Sequence, residues 1–114
     1  MAELSDAAHS AFLAFRCFST GKLGVEWDSG QLENEPQARY SRHRLALRHS
    51  GTAVTGYIDG RYQGTKNATM ATAGMTQLFL GSSQGGKQLS GYVKKVKYWP
   101  AAIPDADLKA LTAP

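Results

Sequence analysis

The chain has 114 residues, a length typical of one domain with a modest hydrophobic core. No apolar run approaches the roughly 18 residues of a membrane helix. A net charge of +4 is compatible with binding anionic glycans or nucleic acid, but so mild an excess usually only aids solubility. Cys17 is alone, which excludes an intrachain disulfide or a cysteine metal cluster and fits synthesis in a reducing cytoplasm. The 12 glycines and the scarcity of helical periodicity favour an all-β protein.

The N-terminal segment is predicted to contain an arm and then a strand. Residues 1–10 are polar and rich in alanine, so we expect a loose arm before a single domain of residues 11–114. Residues 11–18 form the first predicted strand, and both of its faces are largely apolar. Phe12 and Phe18 share one of these faces, which predicts a central strand or one covered at an interface.

The next two segments differ in pattern. Residues 22–28 alternate between apolar and polar side chains, which predicts a second strand with Trp27 on its apolar face. Residues 29–36 are mostly polar and are predicted to form a loop.

The clearest pattern lies at residues 43–65, which predict three strands joined by two turns. Ser50-Gly51 marks the first turn. Asp59-Gly60 marks the second, because a type I′ hairpin turn needs positive φ angles that glycine adopts without strain.

The C-terminal third is predicted to contain two more strands, at residues 75–80 and 89–99, joined by a flexible turn at 81–87. In a regular strand Val93 and Val96 would point to opposite faces, so we expect a β-bulge between them at Lys94-Lys95 to place both in the core.

A short helix is predicted after Pro104, which presets φ for the first helical turn. Asp105 and Asp107 lie in that turn, where the helix dipole favours negative charge. Leu108 and Leu111 are three residues apart, and we expect both to pack on the sheet.

The segment HRLALRHSGTAVTGYIDGRYQGT, at residues 43–65, resembles the core of concanavalin A-like (laminin-G-like) jelly rolls. Three later segments resemble the closing strands and terminal helical turn of that superfamily: residues 78–81, 91–98 and 103–111. The resemblance covers about residues 43–113 and is greatest to the versions in phage tail and tailspike proteins. It implies an antiparallel β-sandwich of jelly-roll topology with a short C-terminal helical turn.

Sandwiches of this type usually have more strands than the seven or so predicted here. Three explanations stay open: an abbreviated front half, a sandwich that a partner chain completes, or a piece of a longer polypeptide.

Fold alone does not fix function. From the resemblance we expect a non-catalytic carbohydrate- or receptor-binding module of a phage tail fibre, tailspike or related virion protein. It would act in the virion or outside the cell after cytoplasmic synthesis, on a cell-surface glycan. The alternative is a purely structural module for oligomerisation, capping or capsid decoration. An exposed aromatic residue beside a polar groove would favour the first function, and a large apolar outer face the second.

The resemblance also invites a comparison with glucanases, whose catalytic strand reads E-x-D-x-x-E and uses its carboxylates as nucleophile and acid/base. Glu26 and Asp28 match that pattern, but Gln31 stands where the last acid belongs. Because glutamine cannot donate and recover a proton, we expect no enzymatic activity.

Aromatic rings are candidates for sugar binding because a ring face packs against the apolar C–H face of a pyranose. Tyr57 is predicted to face outward, whereas alternation places Trp27 inward, where core packing is the better interpretation. Tyr98 and Trp99 belong to the same candidate set. The predicted carbohydrate-binding residues are Tyr57, Tyr62, Trp27, Ser82, Gln84 and Arg44.

Two basic runs have two interpretations. Arg44 and Arg48 share the polar face of one strand, and Lys94, Lys95 and Lys97 follow near the C-terminus. They form either a site for phosphate, sialic or uronic acids or a solvated face that blocks edge aggregation.

Phe12 and Phe18 are the predicted oligomer interface, because burying each would recover roughly 1.5–3 kcal/mol. The resemblance to phage tail modules, which commonly lie on three-fold axes, makes a trimer the expected homo-oligomer.

No cofactor, metal site, nucleic acid or membrane is expected as a ligand or partner. His43 and His49 lie about 20 Å apart on one extended strand and cannot share a metal ion. The resemblance allows a structural calcium ion, but the sequence contains no clustered acidic loop to bind one.

Overall fold

The computed structural model of the chain describes residues 2–8, 12–18, 22–36, 41–68, 75, 77–80 and 92–114. These residues form two antiparallel β-sheets and one helix. The elements are β1 (Ala2–Ser5), β2 (Phe12–Cys17), β3 (Lys22–Trp27), β4 (Gly30–Pro36), β5 (Leu45–Ser50), β6 (Ala53–Ile58), β7 (Arg61–Asn67), β8 (Gln77–Leu80) and α1 (Asp105–Thr112). The predicted all-β sandwich with a C-terminal helical turn is confirmed, and the jelly-roll topology stays a prediction.

The first sheet has five strands in the order β4-β3-β2-β1-β8, and it corrects the expectation of a loose N-terminal arm. Residues 2–5 form β1, which pairs with β2 on one side and β8 on the other. Glu3 and Ser5 are buried, so the polar residues that suggested an arm lie inside the fold.

Strand β4 corrects a second expectation, the loop at residues 29–36. It pairs with β3 through the tight turn at Asp28-Ser29 and forms one edge of the five-stranded sheet. An edge strand tolerates polar residues because part of it faces water. Leu32 is nevertheless buried and fixes the strand to the core.

The second sheet has three strands in the order β5-β6-β7, as residues 43–65 predict. Asp59 and Gly60 both have positive φ angles, 50° and 78°, as a type I′ turn requires. Gly51 has a φ of 58° in the other turn.

The hydrophobic core lies between the two sheets. Val25, Trp27 and Leu32 of the first sheet pack with Val54 and Ala68. Burial on this scale is the main favourable term in folding, at roughly 25 cal/mol per Å² of apolar surface.

The predicted last strand is wrong for the residues that the structure describes. Residues 92–99 are neither strand nor helix, and all of them are exposed. The valines and aromatics of this segment have strand propensity, but a strand also needs a paired neighbour, which propensity does not supply. The expected bulge at Lys94-Lys95 therefore has no strand to interrupt. Residues 81–91, which include the predicted turn, lie outside the described residues.

Helix α1 follows Pro104 as predicted and packs against the three-stranded sheet. Leu108 is buried, but Leu111 is exposed, and Thr112 is buried in its place. The Thr112 hydroxyl accepts a hydrogen bond from the Gly60 backbone N–H at 3.1 Å and donates to the Leu108 carbonyl at 2.8 Å. This pair of bonds turns Thr112, and not Leu111, toward the sheet.

Candidate functional site

Two of the predicted sugar-binding aromatics are buried. Trp27 lies in the core, as the alternation of side chains along its strand indicated, so the prediction that it binds sugar is wrong. Tyr57 is only 6% exposed, because the C-terminal segment covers the outer face of β6 on which it lies. Its prediction as an outward stacking residue is also wrong.

The residues around Tyr57 show that the outer face of β6 binds the start of α1. Burial raises the pKa of its phenol above the ordinary value, and the Asp105 carboxylate raises it further while Arg48 opposes the change. The Arg48 guanidinium donates to the Ile103 carbonyl at 3.1 Å and forms an ion pair with Asp105. These contacts hold the start of α1 on the sheet.

Tyr62 is the predicted aromatic of this sheet that remains exposed. Its ring lies 5.6 Å from that of Tyr57 at an angle of 60°, and its hydroxyl donates to Thr65 Oγ1 at 2.9 Å. The ring is thus packed along one edge, with the rest open to solvent.

Arg44 is exposed, but its guanidinium donates to the Ala113 carbonyl and its backbone N–H donates to Asp59 Oδ1 at 2.9 Å. Arg44 and Arg48 therefore both bind the C-terminal helix and its flanks, and they do not form the free basic stripe that their shared face suggested. Ser82 and Gln84 lie outside the described residues.

Phe12 and Phe18 are half-buried within the chain itself. The Phe12 ring centroid lies 5.7 Å from the Arg16 guanidinium. A Cβ built at Gly24 would lie 2.9 Å from the Phe18 ring, so this ring covers the glycine. Their role as an oligomer interface stays a prediction.

The face of β2 that carries Phe12 also holds a buried ionic cluster, which the local sequence pattern did not predict. Arg16 Nη2 donates to Glu3 Oε2 at 2.7 Å, and Arg16 Nε donates to Glu26 Oε2 at 2.6 Å. The cluster joins β1, β2 and β3. The sequence did contain one indication of this cluster. Arg16 lies two residues from Ala14 and therefore on the same, mainly apolar, face of the strand, and a charge on such a face needs partners.

The same cluster occupies the strand that invited the comparison with glucanases. Glu26 accepts a hydrogen bond from Arg16 and lies opposite Gln31 in the register of β3 and β4, while Asp28 is exposed in the turn. A carboxylate that accepts a charge-assisted hydrogen bond from a guanidinium is fixed in orientation, which suits a structural role.

The other exposed aromatics, Tyr92, Tyr98 and Trp99, lie near the C-terminus. Trp99 lines an open groove against the outer side of α1, with a volume of ≈ 300 Å³. We call it the Trp99 groove, and its lining residues are Trp99, Ile103, Asp107, Ala110 and Leu111.

The groove has an apolar wall and one charged side chain. Leu111 faces it because Thr112 takes the position toward the sheet. Asp107 is its acid, and unlike Asp105 it forms no ion pair with the described arginines and lysines. Lys97 Nζ lies 5.9 Å from the centroid of the Trp99 ring, a cation–π distance.

The described residues contain no group of three or more histidine, cysteine, aspartate or glutamate side chains that could hold a metal ion. Among the same residues, no helix has both the length and the apolar character needed to cross a membrane.

No family model and no curated protein matches the sequence. Among solved structures, the chain is similar to the crystal structure of an S-layer domain-containing protein (residues 221–444) from Clostridium thermocellum ATCC 27405, with a TM-score of 0.57 and 16% sequence identity. The match covers 96% of this chain and 60% of the length of the other. At this identity the likeness shows the fold alone.

Proposed function

We propose that the chain is a non-catalytic carbohydrate-binding module and that the Trp99 groove is its binding site. The observation that supports it is an exposed tryptophan beside a carboxylate in an open groove. Ligand sites are concave and mainly apolar, with a few polar groups that orient the ligand, and they start at about 300 Å³.

The chemistry of the groove suits a sugar ring. The indole face of Trp99 offers an apolar platform for the C–H face of a pyranose. Asp107 accepts hydrogen bonds from sugar hydroxyls, and bonds to an ionised acceptor are stronger than neutral ones. Leu111 closes the apolar side of the groove.

The biological setting is part of the proposal. A jelly-roll module of a phage tail fibre, tailspike or related virion protein would bring this groove to a cell-surface glycan. The structural neighbour is named as an S-layer domain-containing protein, which supports a cell-surface context for this fold. The chain is proposed to act in the virion or outside the cell.

Binding is tested by calorimetry and on a glycan array, with the protein displayed multivalently because single-site affinities of such modules are weak. We expect dissociation constants in the micromolar to millimolar range, roughly −4 to −8 kcal/mol. Trp99→Ala should abolish binding at an unchanged melting temperature. Tyr62→Ala tests the other exposed aromatic of the predicted sugar-binding set, which lies outside the groove, and should leave binding unchanged if the Trp99 groove is the site. If no glycan binds the multivalent wild type, the carbohydrate function is rejected.

A second candidate function is a structural module that self-associates. Leu78 and Leu80 are more than half exposed on β8, at one edge of the five-stranded sheet. Leu78 lies in register with Leu4, so their side chains share a sheet face. Large apolar groups at an open sheet edge are typical of protein–protein contacts.

Sedimentation of the wild type decides this alternative, with the trimer as the expected species. A double substitution, Leu78→Ser with Leu80→Ser, should produce a monomer if β8 is the interface. Phe12→Ser with Phe18→Ser should do so if the originally expected interface is used. A wild type that stays monomeric at high micromolar concentration excludes both.

A further inference from the structure

The charges of the chain are strongly segregated along the sequence. Residues 1–36 contain six acidic and two basic side chains, whereas residues 37–114 contain three acidic and eleven basic ones. Although the net charge of the whole chain is only +4, residues 37–114 carry an excess of eight positive charges. A local excess of one sign concentrates counter-ions and charged ligands at the surface.

Several of these basic side chains already form hydrogen bonds or ion pairs within the protein. Arg44 and Arg48 bind the C-terminal helix and its flanks, and Lys66 Nζ donates to the Gln31 carbonyl at 2.9 Å. Each of these bonds fixes a side chain within the chain, so these three residues contribute little to ligand binding.

Residues 92–99, which we call the lysine segment, are different. Their sequence is Tyr-Val-Lys-Lys-Val-Lys-Tyr-Trp, and every residue is exposed. Within the described part of the chain, Lys94 and Lys95 form no ion pair with a carboxylate, and Lys97 lies over the Trp99 ring. The segment therefore presents three ammonium groups to solvent, and its last residue, Trp99, lines the Trp99 groove.

We propose that the Trp99 groove and the lysine segment together bind an acidic polysaccharide whose sugars carry carboxylates. This inference rests on the proposed carbohydrate function and specifies its ligand class. A sugar stacked on Trp99 places a ring carboxylate beside Lys97, whose ammonium already lies 5.9 Å from the ring centroid. Lys94 and Lys95, which are exposed in the same segment, then contact the carboxylates of the following sugars.

Asp107 distinguishes this ligand from a nucleic acid. Its carboxylate lines the groove and accepts hydrogen bonds from hydroxyls, which a polysaccharide carries on every ring. The same carboxylate repels a phosphate backbone, where the charges are dense and unavoidable. A polyuronate can place a hydroxyl at Asp107 and a carboxylate at Lys97.

The test measures binding of the full chain to polygalacturonate and to polysialic acid, with fully methyl-esterified polygalacturonate as the uncharged control. We expect at least one acidic polymer to bind about tenfold more tightly than the ester at low salt, and about tenfold more weakly when salt rises from 50 to 500 mM. The triple substitution Lys94→Gln, Lys95→Gln, Lys97→Gln should remove this preference.

The matched control is the triple substitution Arg42→Gln, Arg61→Gln, Lys109→Gln, which removes the same charge from exposed positions outside the groove and should leave the preference unchanged. Equal binding of acidic and neutral polymers overturns the acidic ligand class and leaves the carbohydrate function standing. A chain that binds no glycan at all overturns both. Binding of single-stranded DNA that matches the acidic polymer and survives Trp99→Ala also overturns the proposal, because the lysines would then act as a general polyanion site.

Discussion

Arg16 of β2 and Arg48 of β5 both bind carboxylates, but one is buried and the other lies near water. The Arg16 side chain is 3% exposed and joins β1, β2 and β3 within one sheet through Glu3 and Glu26. The Arg48 side chain is 21% exposed and attaches α1 to the other sheet through Asp105, which is itself more than half exposed.

Burial determines what each ion pair does for the protein. Charges removed from water have lost their hydration, so a buried pair contributes little net stability yet is costly to break. A pair near water is screened, and solvent replaces a lost partner. The cluster around Arg16 therefore specifies how three strands align, whereas Arg48 positions a helix that packing already holds.

The largest effect is expected from Arg16→Met, which leaves the Glu3 carboxylate buried without the guanidinium that binds it. We expect a loss of about 3–5 kcal/mol in the free energy of unfolding, measured by urea denaturation. The triple variant Glu3→Gln, Arg16→Met, Glu26→Gln removes all three charges and should recover much of that loss. A single variant as stable as the wild type would show that the cluster is not buried in solution.

The next effect concerns the helix on the other sheet. Leu108→Ala should cost about 2–4 kcal/mol, because it leaves a cavity under α1. Leu111→Ala is the matched control, since the same substitution one helical turn away faces the Trp99 groove and should change stability by about 0.5 kcal/mol or less. Equal losses for the two leucines would mean that the helix packs with both on the sheet.

A smaller effect is expected from Arg48→Gln, at about 1 kcal/mol or less for a pair whose partner is mostly exposed. Salt sharpens the comparison with Arg16. Adding 0.5 M sodium chloride, where the Debye length is only about 4–5 Å, should shrink the difference between wild type and Arg48→Gln. The loss in Arg16→Met should persist, and an equal response to salt would contradict the contrast in burial.

Alternation in the sequence predicted the strands whose polar residues face water. It predicted β2, β3 and the three strands of the second sheet, and turn chemistry placed Asp59-Gly60 correctly. It missed β1 because Glu3 is polar yet buried, and β4 because an edge strand carries few apolar residues. Partners that satisfy a buried charge come from distant positions, which local patterns do not reveal.

The candidate site was harder to predict for a related reason. Trp99 belonged to the predicted set of stacking aromatics, but its groove depends on how α1 is rotated. A spacing of three residues made Leu108 and Leu111 look alike, and the Thr112 hydrogen bond to the Gly60 N–H decides between them. That bond joins positions 52 residues apart.

The smallest expected effect concerns the Asp59 turn of the second sheet, where the free energy of unfolding should decrease as the pH falls. Partial burial disfavours ionisation of Asp59. Its hydrogen bond with His43 Nδ1 at 2.8 Å, the Arg44 N–H and the nearby charge of Arg61 outweigh that effect and lower the pKa of the carboxyl. A folded-state pKa below the unfolded value stabilises the fold above about pH 4, and this contribution is lost as pH falls through the folded pKa.

Asp59→Asn keeps a residue that tolerates the positive φ angle but removes the titrating group. Urea denaturation between about pH 7 and pH 3 should therefore show a steeper acid loss for the wild type than for Asp59→Asn, with the two curves converging at the acid end. Parallel curves would mean that the Asp59 carboxylate has the same pKa in the folded and unfolded chains, and that its bonds orient the turn without coupling it to pH.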